Sequence, residues 1–208
     1  MTIYLYSGTP GSGKSLHQAQ DIWYCLRFGK PFVTNFEVNY SACKKRKEPK
    51  HLLVSNEDLT PELLIKYAED YWLNSGENFR EGRIKLFIDE CQILFNSRSW
   101  DMKGRSEWVK FFTQHRKYGY DIYLIAQFDR MIDRQIRSLI EYEIVHRKLS
   151  NFGIKGKILS IVLGNMAFVS VKTWYPLKER IGAEFMRPNK TYFSLYDSYK
   201  RFSEDSSS

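Results

Sequence analysis

Cysteine is scarce in this chain of 208 residues, and its three cysteines form no recognisable pair. Cys25, Cys43 and Cys91 are scattered and have no CxxC spacing, so the sequence indicates neither a disulfide framework nor a zinc site. The four histidines also lack the spacing of metal ligands. This use of cysteine fits a reducing compartment such as the cytosol.

Long apolar runs are missing as well. The longest, at residues 158–171, is interrupted by Ser160, Gly164 and Asn165. It falls short of the roughly 18 to 20 residues that span a bilayer. The N-terminus has no signal-peptide pattern, because Lys14 interrupts its first apolar run and no hydrophobic region follows. We therefore expect the chain to be soluble.

Acidic residues are outnumbered by basic ones. The 32 Lys and Arg against 24 Asp and Glu give a net charge of +8. This excess favours contact with phosphates, nucleic acid or an anionic membrane surface, and it does not choose among them. The apolar fraction of 43%, with 14 Tyr and 14 Phe, is enough for a sizeable core. The length allows one α/β domain, or one domain with an appendage.

Strand-like and helix-like segments alternate along most of the chain. Four short apolar runs predict strands, at residues 3–6, 32–35, 84–88 and 120–126. Residues 16–28 and 106–118 predict helices, and Thr60 followed by Pro61 predicts the start of another. The alternation predicts an α/β fold, with a mostly parallel sheet sandwiched by helices.

The last quarter of the chain has a different pattern. Three segments predict strands, at residues 142–147, 158–163 and 167–175. Gly164 and Asn165 predict a hairpin turn, so these strands indicate a C-terminal antiparallel extension of the sheet. We expect a core at residues 1–150 and a β-rich extension of the same domain at residues 151–202. A disordered tail, SEDSSS, follows at residues 203–208.

The sequence GTPGSGKS matches the phosphate-binding pattern GxxxxGK[ST] and lies between a predicted strand and a predicted helix. In this pattern, backbone N–H groups and the helix N-terminus surround phosphate oxygens, and glycine permits the tight curl. We expect Lys14 to neutralise the β- and γ-phosphates and Ser15 to bind Mg²⁺. The predicted nucleotide-binding residues are Gly8, Thr9, Pro10, Gly11, Ser12, Gly13, Lys14, Ser15 and Leu16.

Two carboxylates follow the predicted strand at residues 84–88. Asp89 is placed to hold Mg²⁺ through water, and Glu90 has the chemistry to polarise an attacking water. The alternative for Glu90 is a solvated residue at a strand end. A guanine-reading NKxD pattern is missing, because Asn189 and Lys190 are followed by Thr191 and Tyr192. ATP is therefore the favoured nucleotide.

The stretch HRKYGYDIYLIAQ, at residues 115–127, has a basic cluster before a buried strand and one amide after it. Neither end stabilises a core, so we expect both to face a ligand. Gln127 ends the strand at the place where a polar group senses the γ-phosphate or positions the attacking water. The alternative is an amide that caps the next turn. Arg116 precedes the strand, and we expect its guanidinium near the carboxyl edge of the sheet, where α/β ligands bind.

Further basic residues are candidates for roles between subunits. Arg130, Arg134 and Arg137 fall on one face of a predicted helix, which is either a solvated surface or functional. The opposite side of that helix holds Ile132, Ile136, Leu139 and Ile140. Arg116 or Arg137 is a candidate arginine finger on a neighbouring subunit's nucleotide. The loop at residues 44–47 is a solvated surface, or a contact for DNA or anionic lipid.

Taken in order, these motifs resemble the N-terminal cytoplasmic domain of the zonular occludens toxin (Zot) family, which includes the assembly ATPases of filamentous phages. The resemblance covers about residues 1–175. It is carried by GTPGSGKS, Thr34-Asn35-Phe36, FIDE at residues 87–90, HRKYGYDIYLIAQ, and Ile136-Arg137 leading to residues 144–147.

The resemblance implies a P-loop ATPase of the additional-strand, catalytic-glutamate division, with ATP and Mg²⁺ as cofactors. It would act as a homo-oligomeric ring at the inner membrane, powering assembly and export of virions. The implied partners are phage coat or assembly proteins and export components, and single-stranded DNA and anionic membrane are further candidates. Family proteins usually continue into a transmembrane helix, before which this sequence ends. A DNA-translocating packaging or conjugation ATPase and a non-hydrolysing, nucleotide-dependent scaffold are the alternatives.

Overall fold

The computed structural model describes residues 2–96, 102–151, 168–187 and 189–195. The strands of these segments are β1 (Ile3–Ser7), β2 (Phe32–Thr34), β3 (His51–Leu53), β4 (Ile84–Ile88), β5 (Tyr120–Ile125), β6 (Tyr142–Lys148), β7 (Phe168–Trp174) and β8 (Glu179–Met186). They form one eight-stranded sheet in the order β3-β2-β4-β5-β1-β6-β7-β8.

The helices among the described residues are α1 (Lys14–Phe28), α2 (Pro61–Asn74), α3 (Met102–Tyr118), α4 (Arg134–Arg137) and α5 (Lys190–Leu195). The predicted start of α2 is confirmed, because the Thr60 side chain accepts a hydrogen bond from the Leu63 backbone N–H, with Pro61 in the first turn. In the part of the chain that the structure describes, no helix has both the length and the apolar composition needed to cross a bilayer.

The sheet has a parallel part and an antiparallel part. Strands β3, β2, β4, β5, β1 and β6 pair in parallel, and β7 and β8 continue the sheet in antiparallel pairs. The predicted fold class is confirmed. Strand β6 belongs to both parts, because it pairs in parallel with β1 and antiparallel with β7. Strand β5 lies between β1 and β4, which is the additional-strand arrangement.

Apolar side chains pack on both faces of the sheet. On one face, Ile22 and Leu26 of α1 pack with Phe32 and Phe87. On the other, a larger cluster joins strand residues to α2 and α3, and it includes Leu5, Leu64, Leu86, Phe111, Phe112 and Ile122. Each such buried side chain stabilises the fold by about 1.5–3 kcal/mol relative to exposure. These two layers hold the carboxyl ends of β1, β4 and β5 side by side.

Two strands lie outside the predictions made from sequence. Strand β3 has only three residues, and β8 is exposed along most of its length. The predicted strand at 158–163, the turn at Gly164-Asn165 and the tail at 203–208 lie outside the described residues. The division into a core and an extension stays a prediction.

The predicted continuous helix through Arg130, Arg134 and Arg137 is wrong. Arg130 lies in a short 3-10 turn at Asp129–Met131, and α4 covers only Arg134–Arg137. The chain between them is extended at Ile132, which forms a β-bridge with Asn96. The Asp133 side chain then caps α4 by accepting a hydrogen bond from the Gln135 backbone N–H. The four apolar residues of the predicted inner face are nevertheless buried or half-buried.

Candidate nucleotide-binding site

The loop between β1 and α1 depends on glycine at two positions. Gly8 has φ 142° and Gly13 has φ 101°, a region that other residues rarely adopt. Space is also limited, because a Cβ on Gly8 would lie 2.5 Å from the His146 carbonyl oxygen, and one on Gly13 would lie 2.8 Å from the Phe168 ring. The loop therefore curls as tightly as the phosphate-binding pattern requires.

The interior of this loop has the donors that an anion needs. Helix α1 begins at Lys14 with no side-chain cap on its first N–H groups and no acidic residue in its first turn. The Ser12 hydroxyl is buried and has no hydrogen-bond partner among the described residues. Lys14 Nζ donates to the carbonyl oxygens of Gly8, at 2.6 Å, and Thr9, at 3.3 Å. These groups fit the phosphates of a nucleotide.

Asp89 and Glu90 lie in a turn that follows β4 at the same edge of the sheet. Partial burial lowers the pKa of Lys14, while the charges of Glu90 and Asp89 act in the opposite direction. Both carboxylates therefore lie within electrostatic reach of the P-loop lysine. Glu90 is exposed and has φ 48°, a strained value for a residue that is not glycine. Strain of this kind is concentrated at functional sites.

Asn35, which follows β2, forms hydrogen bonds with both backbone polar groups of Asp89. Its Oδ1 accepts a hydrogen bond from the Asp89 N–H at 2.8 Å, and its Nδ2 donates to the Asp89 carbonyl at 2.9 Å. Nδ2 also donates to Oδ1 of Asn56 at 2.7 Å. The sequence reasoning gave Asn35 no role, although an amide directly after a buried strand is a signal that would have found it.

Gln127 lies where the sequence predicts, just beyond the end of β5 and between the P-loop and the Asp89–Glu90 turn. Its carbonyl accepts a hydrogen bond from the Gly8 N–H at 3.2 Å. It also lines a cavity of about 460 Å³, together with Gly8, Thr9 and Asp129. A γ-phosphate sensor would occupy this position beside the P-loop.

Two histidines lie directly behind the P-loop. His17 Nδ1 and His146 Nε2 are 2.8 Å apart, and His146 Nδ1 is 3.2 Å from the Ser7 carbonyl. Because a carbonyl oxygen can only accept, His146 Nδ1 carries the proton and donates to Ser7. The Nε2 atom of neutral His146 is then the acceptor, and His17 Nδ1 donates to it. Burial, followed by the charge of His17, lowers the pKa of His146 to about 3. Sequence spacing gives no signal for this pair.

A second polar network borders the cavity and also escaped the sequence reasoning. Ser7 donates to Oε1 of Glu143 at 2.8 Å, and Lys178 Nζ donates to Oε2 of the same residue at 3.1 Å. Tyr175 donates to Oδ2 of Asp129 at 2.9 Å. Because these residues come from distant parts of the chain, only the fold brings them together.

Arg116 does not lie near the carboxyl edge, so that prediction is wrong. Helix α3 ends just before β5 begins, which places Arg116 at the amino edge of the parallel sheet. There its Nη2 is 3.1 Å from Oε1 of Glu141. The neighbouring His115 is buried, its Nδ1 is 2.5 Å from the Phe112 carbonyl, and burial lowers its pKa. The basic cluster and Gln127 therefore lie at opposite edges.

Arg137 is half-buried, whereas Arg130 and Arg134 are exposed. Arg137 lies at the end of α4, on the segment that leads to the amino end of β6. The structure thus brings the P-loop, Asp89, Glu90 and Gln127 to one edge, and the role of Arg137 as a finger stays a prediction.

The sequence model of the family described as Zonular occludens toxin (Zot) matches residues 2–202. The chain belongs to this family. The resemblance seen in its motifs is confirmed.

The Gene 1 protein of Enterobacteria phage fd is 29% identical over 173 residues, which cover 79% of this chain and 48% of that protein. The Gene 1 protein of Salmonella phage IKe is 27% identical over 175 residues, covering 79% and 46%. The chain thus spans about half the length of these curated relatives.

Solved structures support the fold. The N-terminal domain of zonular occludens toxin from Neisseria meningitidis has a TM-score of 0.55 at 18% identity, covering 94% of this chain and 98% of that one. B204, the DNA-packaging ATPase from Sulfolobus Turreted Icosahedral Virus, has a TM-score of 0.56 at 14% identity, covering 90% and 98%. At these identities the similarity shows the P-loop NTPase fold and nothing finer.

Proposed function

We propose that the chain is the Mg²⁺-dependent, ATP-binding and ATP-hydrolysing motor domain of a filamentous phage assembly and export protein. The observation that carries the proposal is the strained Glu90, held next to Asp89 at the carboxyl edge and within electrostatic reach of Lys14. Membership of the Zot family and the similarity to phage Gene 1 proteins support the assignment to phage assembly.

Each residue then has a defined task. The loop N–H groups and Lys14 bind and orient the phosphates, and Ser15 with Asp89 holds Mg²⁺. The bound ion and nucleotide supply charge neutralisation and the phosphoryl group. Glu90 accepts a proton from the attacking water, and Gln127 orients that water beside the γ-phosphate. Arg137 is proposed to reach the nucleotide of a neighbouring subunit in a ring.

The Zot family membership and the similarity to phage Gene 1 proteins support the proposed partners. We propose phage coat or assembly proteins and inner-membrane export components, with the chain at the cytoplasmic face of that membrane. The amino edge supports a further contact with a polyanion, because Lys44, Lys45, Arg46 and Lys47 are exposed there. Nearby, Lys30, Arg80 and Arg83 line one depression together with Glu77 and Glu81, so the exposed loop carries this argument. Single-stranded DNA and anionic lipid both have the required charge.

The same observations favour DNA translocation as a second candidate function. B204, which is described as a DNA-packaging ATPase, has the same fold, and the basic amino edge lies opposite the nucleotide site. Steady-state hydrolysis of ATP separates the alternatives. Mg²⁺-dependent turnover that single-stranded DNA leaves unchanged supports the assembly motor. Stimulation by DNA supports translocation, and ATP binding without turnover at any protein concentration supports a nucleotide-dependent scaffold.

A further inference from the structure

We propose that Asn35 is a positioning residue for hydrolysis, which holds the Asp89–Glu90 turn in its strained form, and that Asn56 supports Asn35 by accepting its remaining N–H. This inference rests on the proposed function of Glu90. It adds the residue that follows β2 and one of the β3–α2 loop, neither of which belongs to the P-loop or to the carboxylate motif.

The sheet explains why an amide is needed at this position. Strands β2 and β4 pair in parallel up to Thr34 and Phe87, after which the β2 chain turns away. The backbone of Asp89 would then lose the partners that a longer β2 would supply. The side chain of Asn35 carries one acceptor and two N–H donors on a planar amide, like a peptide group. It therefore replaces the missing strand for both backbone groups of Asp89.

Asn56 completes the arrangement. Asn35 is buried, with 4% of its surface exposed, and each polar atom of its amide has a partner. An amide turned by 180° would place Oδ1 against the oxygens of Asp89 and Asn56, which repel it. The backbone groups of Asp89 therefore select this orientation, and Asn56 supports it by accepting the remaining N–H of the Asn35 amide. Its own loop is fixed by Ser55 Oγ, which donates to Asp58 at 2.8 Å.

The turn that Asn35 holds determines the position of the Glu90 carboxylate. Glu90 has φ 48°, which costs of the order of 1–3 kcal/mol and persists only where the surroundings enforce it. The Glu90 N–H donates to Oδ1 of Asp89 at 2.9 Å, and the Cys91 N–H donates to the Ile125 carbonyl at 2.9 Å. Without Asn35, Asp89 loses two bonds and Glu90 is free to leave the left-handed region.

The experiment uses isosteric variants. Asn35→Asp keeps an acceptor for the Asp89 N–H and loses both donors, so kcat should fall about 10- to 100-fold, the scale for a misplaced catalytic group. Affinity for an ATP analogue without Mg²⁺ should stay within about threefold, because the P-loop is untouched. Asn56→Asp keeps its acceptor and should lose less activity than Asn56→Ala. The control is Asn74→Asp at the exposed end of α2, which should keep the parental rate.

A double variant separates positioning from a merely structural role. If Asn35 acts through Glu90, Asn35→Asp should slow Glu90→Gln protein by less than about threefold, because coupled residues are not additive. Equal losses in both backgrounds, or a parental kcat for folded Asn35→Asp protein, would overturn the proposal. If Asn35→Asp does not fold, the pair of Asn56 variants gives the same test, and equal activity of that pair overturns it. A parental rate for Glu90→Gln alone contradicts the proposed function of Glu90 instead.

Discussion

The two edges of the parallel sheet differ in how their polar residues and backbone are arranged. At the amino edge, charged side chains are paired within the chain, as in Arg83 with Glu77 at 2.7 Å and Arg116 with Glu141 at 3.1 Å. At the carboxyl edge, the Ser12 hydroxyl is buried without a described partner and Glu90 has a strained backbone. A buried polar atom without a described partner also occurs at the amino edge, at His115 Nε2. The strained Glu90 beside a phosphate-binding loop is therefore what indicates a ligand at the carboxyl edge.

The largest expected effect is a difference in nucleotide affinity between two variants, one with a lysine of the carboxyl edge replaced and one with a lysine of the amino edge replaced. Lys14→Ala should abolish detectable binding of an ATP analogue with Mg²⁺, because no other loop side chain supplies a cation to the phosphates. Lys47→Ala, in the exposed loop beyond α1, should leave the affinity unchanged. Isothermal calorimetry on both variants measures this, and an unchanged affinity for Lys14→Ala would show that the loop is not the phosphate site.

The next comparison tests the two arginines that the sequence proposed as fingers. An arginine finger accelerates hydrolysis by about 10³- to 10⁵-fold, so specific activity should rise with protein concentration as subunits assemble. Arg137→Ala should remove this rise without weakening nucleotide binding. Arg116→Ala should keep it, because Arg116 is bonded to Glu141 at the amino edge.

Mixing adds a check on this prediction. Arg137→Ala protein combined with Glu90→Gln protein should regain some turnover, since an intact finger and an intact base then meet at some interfaces. Activity per subunit that stays flat with concentration, and is not restored in the mixture, would rule out a finger acting between subunits.

Replacing one glycine with positive φ at each edge should have a smaller effect. Gly8→Ala should weaken ATP binding at least about tenfold, or about 1.4 kcal/mol, because its Cβ meets the His146 carbonyl. Gly76, after α2, has φ 66° and open space, so Gly76→Ala should cost only about 1–2 kcal/mol of stability. Calorimetry and urea unfolding compare them. Equal ATP affinities for the two variants would contradict a tight contact at Gly8.

An effect of about the same size concerns pH. The pKa of His146 is lowered from 6.5 to about 3, so between these values the unfolded chain binds a proton that the folded chain does not. Stability should therefore fall as the pH falls from about 6.5, and by pH 5.5 this one group should cost about 1.4 kcal/mol. Urea unfolding of parent and His146→Asn protein at pH 7.5 and 5.5 checks this. An equal loss in both would show that His146 is not responsible.

Much of the fold and part of the site could be predicted from sequence, and the failures have physical causes. The buried strands β4 and β5 have continuous apolar runs, so they could be predicted from the sequence. Strand β8 is exposed on most of its length, so no apolar pattern marks it. The predicted helix through the arginines was too long, because it was based on their spacing alone. That spacing takes no account of Asp133, whose side chain caps the start of a new helix.

The position of Arg116 was wrong for a topological reason. A helix that precedes a parallel strand runs back across the sheet and must end at the amino edge, which sequence order alone would have indicated. The P-loop and Asp89–Glu90 were found because their chemistry lies in contiguous motifs. The His17–His146 pair was not found, since its contact spans 129 positions of the chain. Asn35 was missed although its place directly after a buried strand is a signal, because its partner Asp89 lies 54 positions away.

The central claim is that the carboxyl edge hydrolyses ATP through Glu90, and one measurement tests it most directly. Glu90→Gln and the amino-edge control Glu141→Gln are compared with the parent for kcat at saturating ATP and Mg²⁺, with analogue affinity measured in parallel. We expect Glu90→Gln to keep its affinity and lose at least about 10² in kcat, the scale for a lost general base, while Glu141→Gln keeps both. Parental turnover by Glu90→Gln would contradict the account.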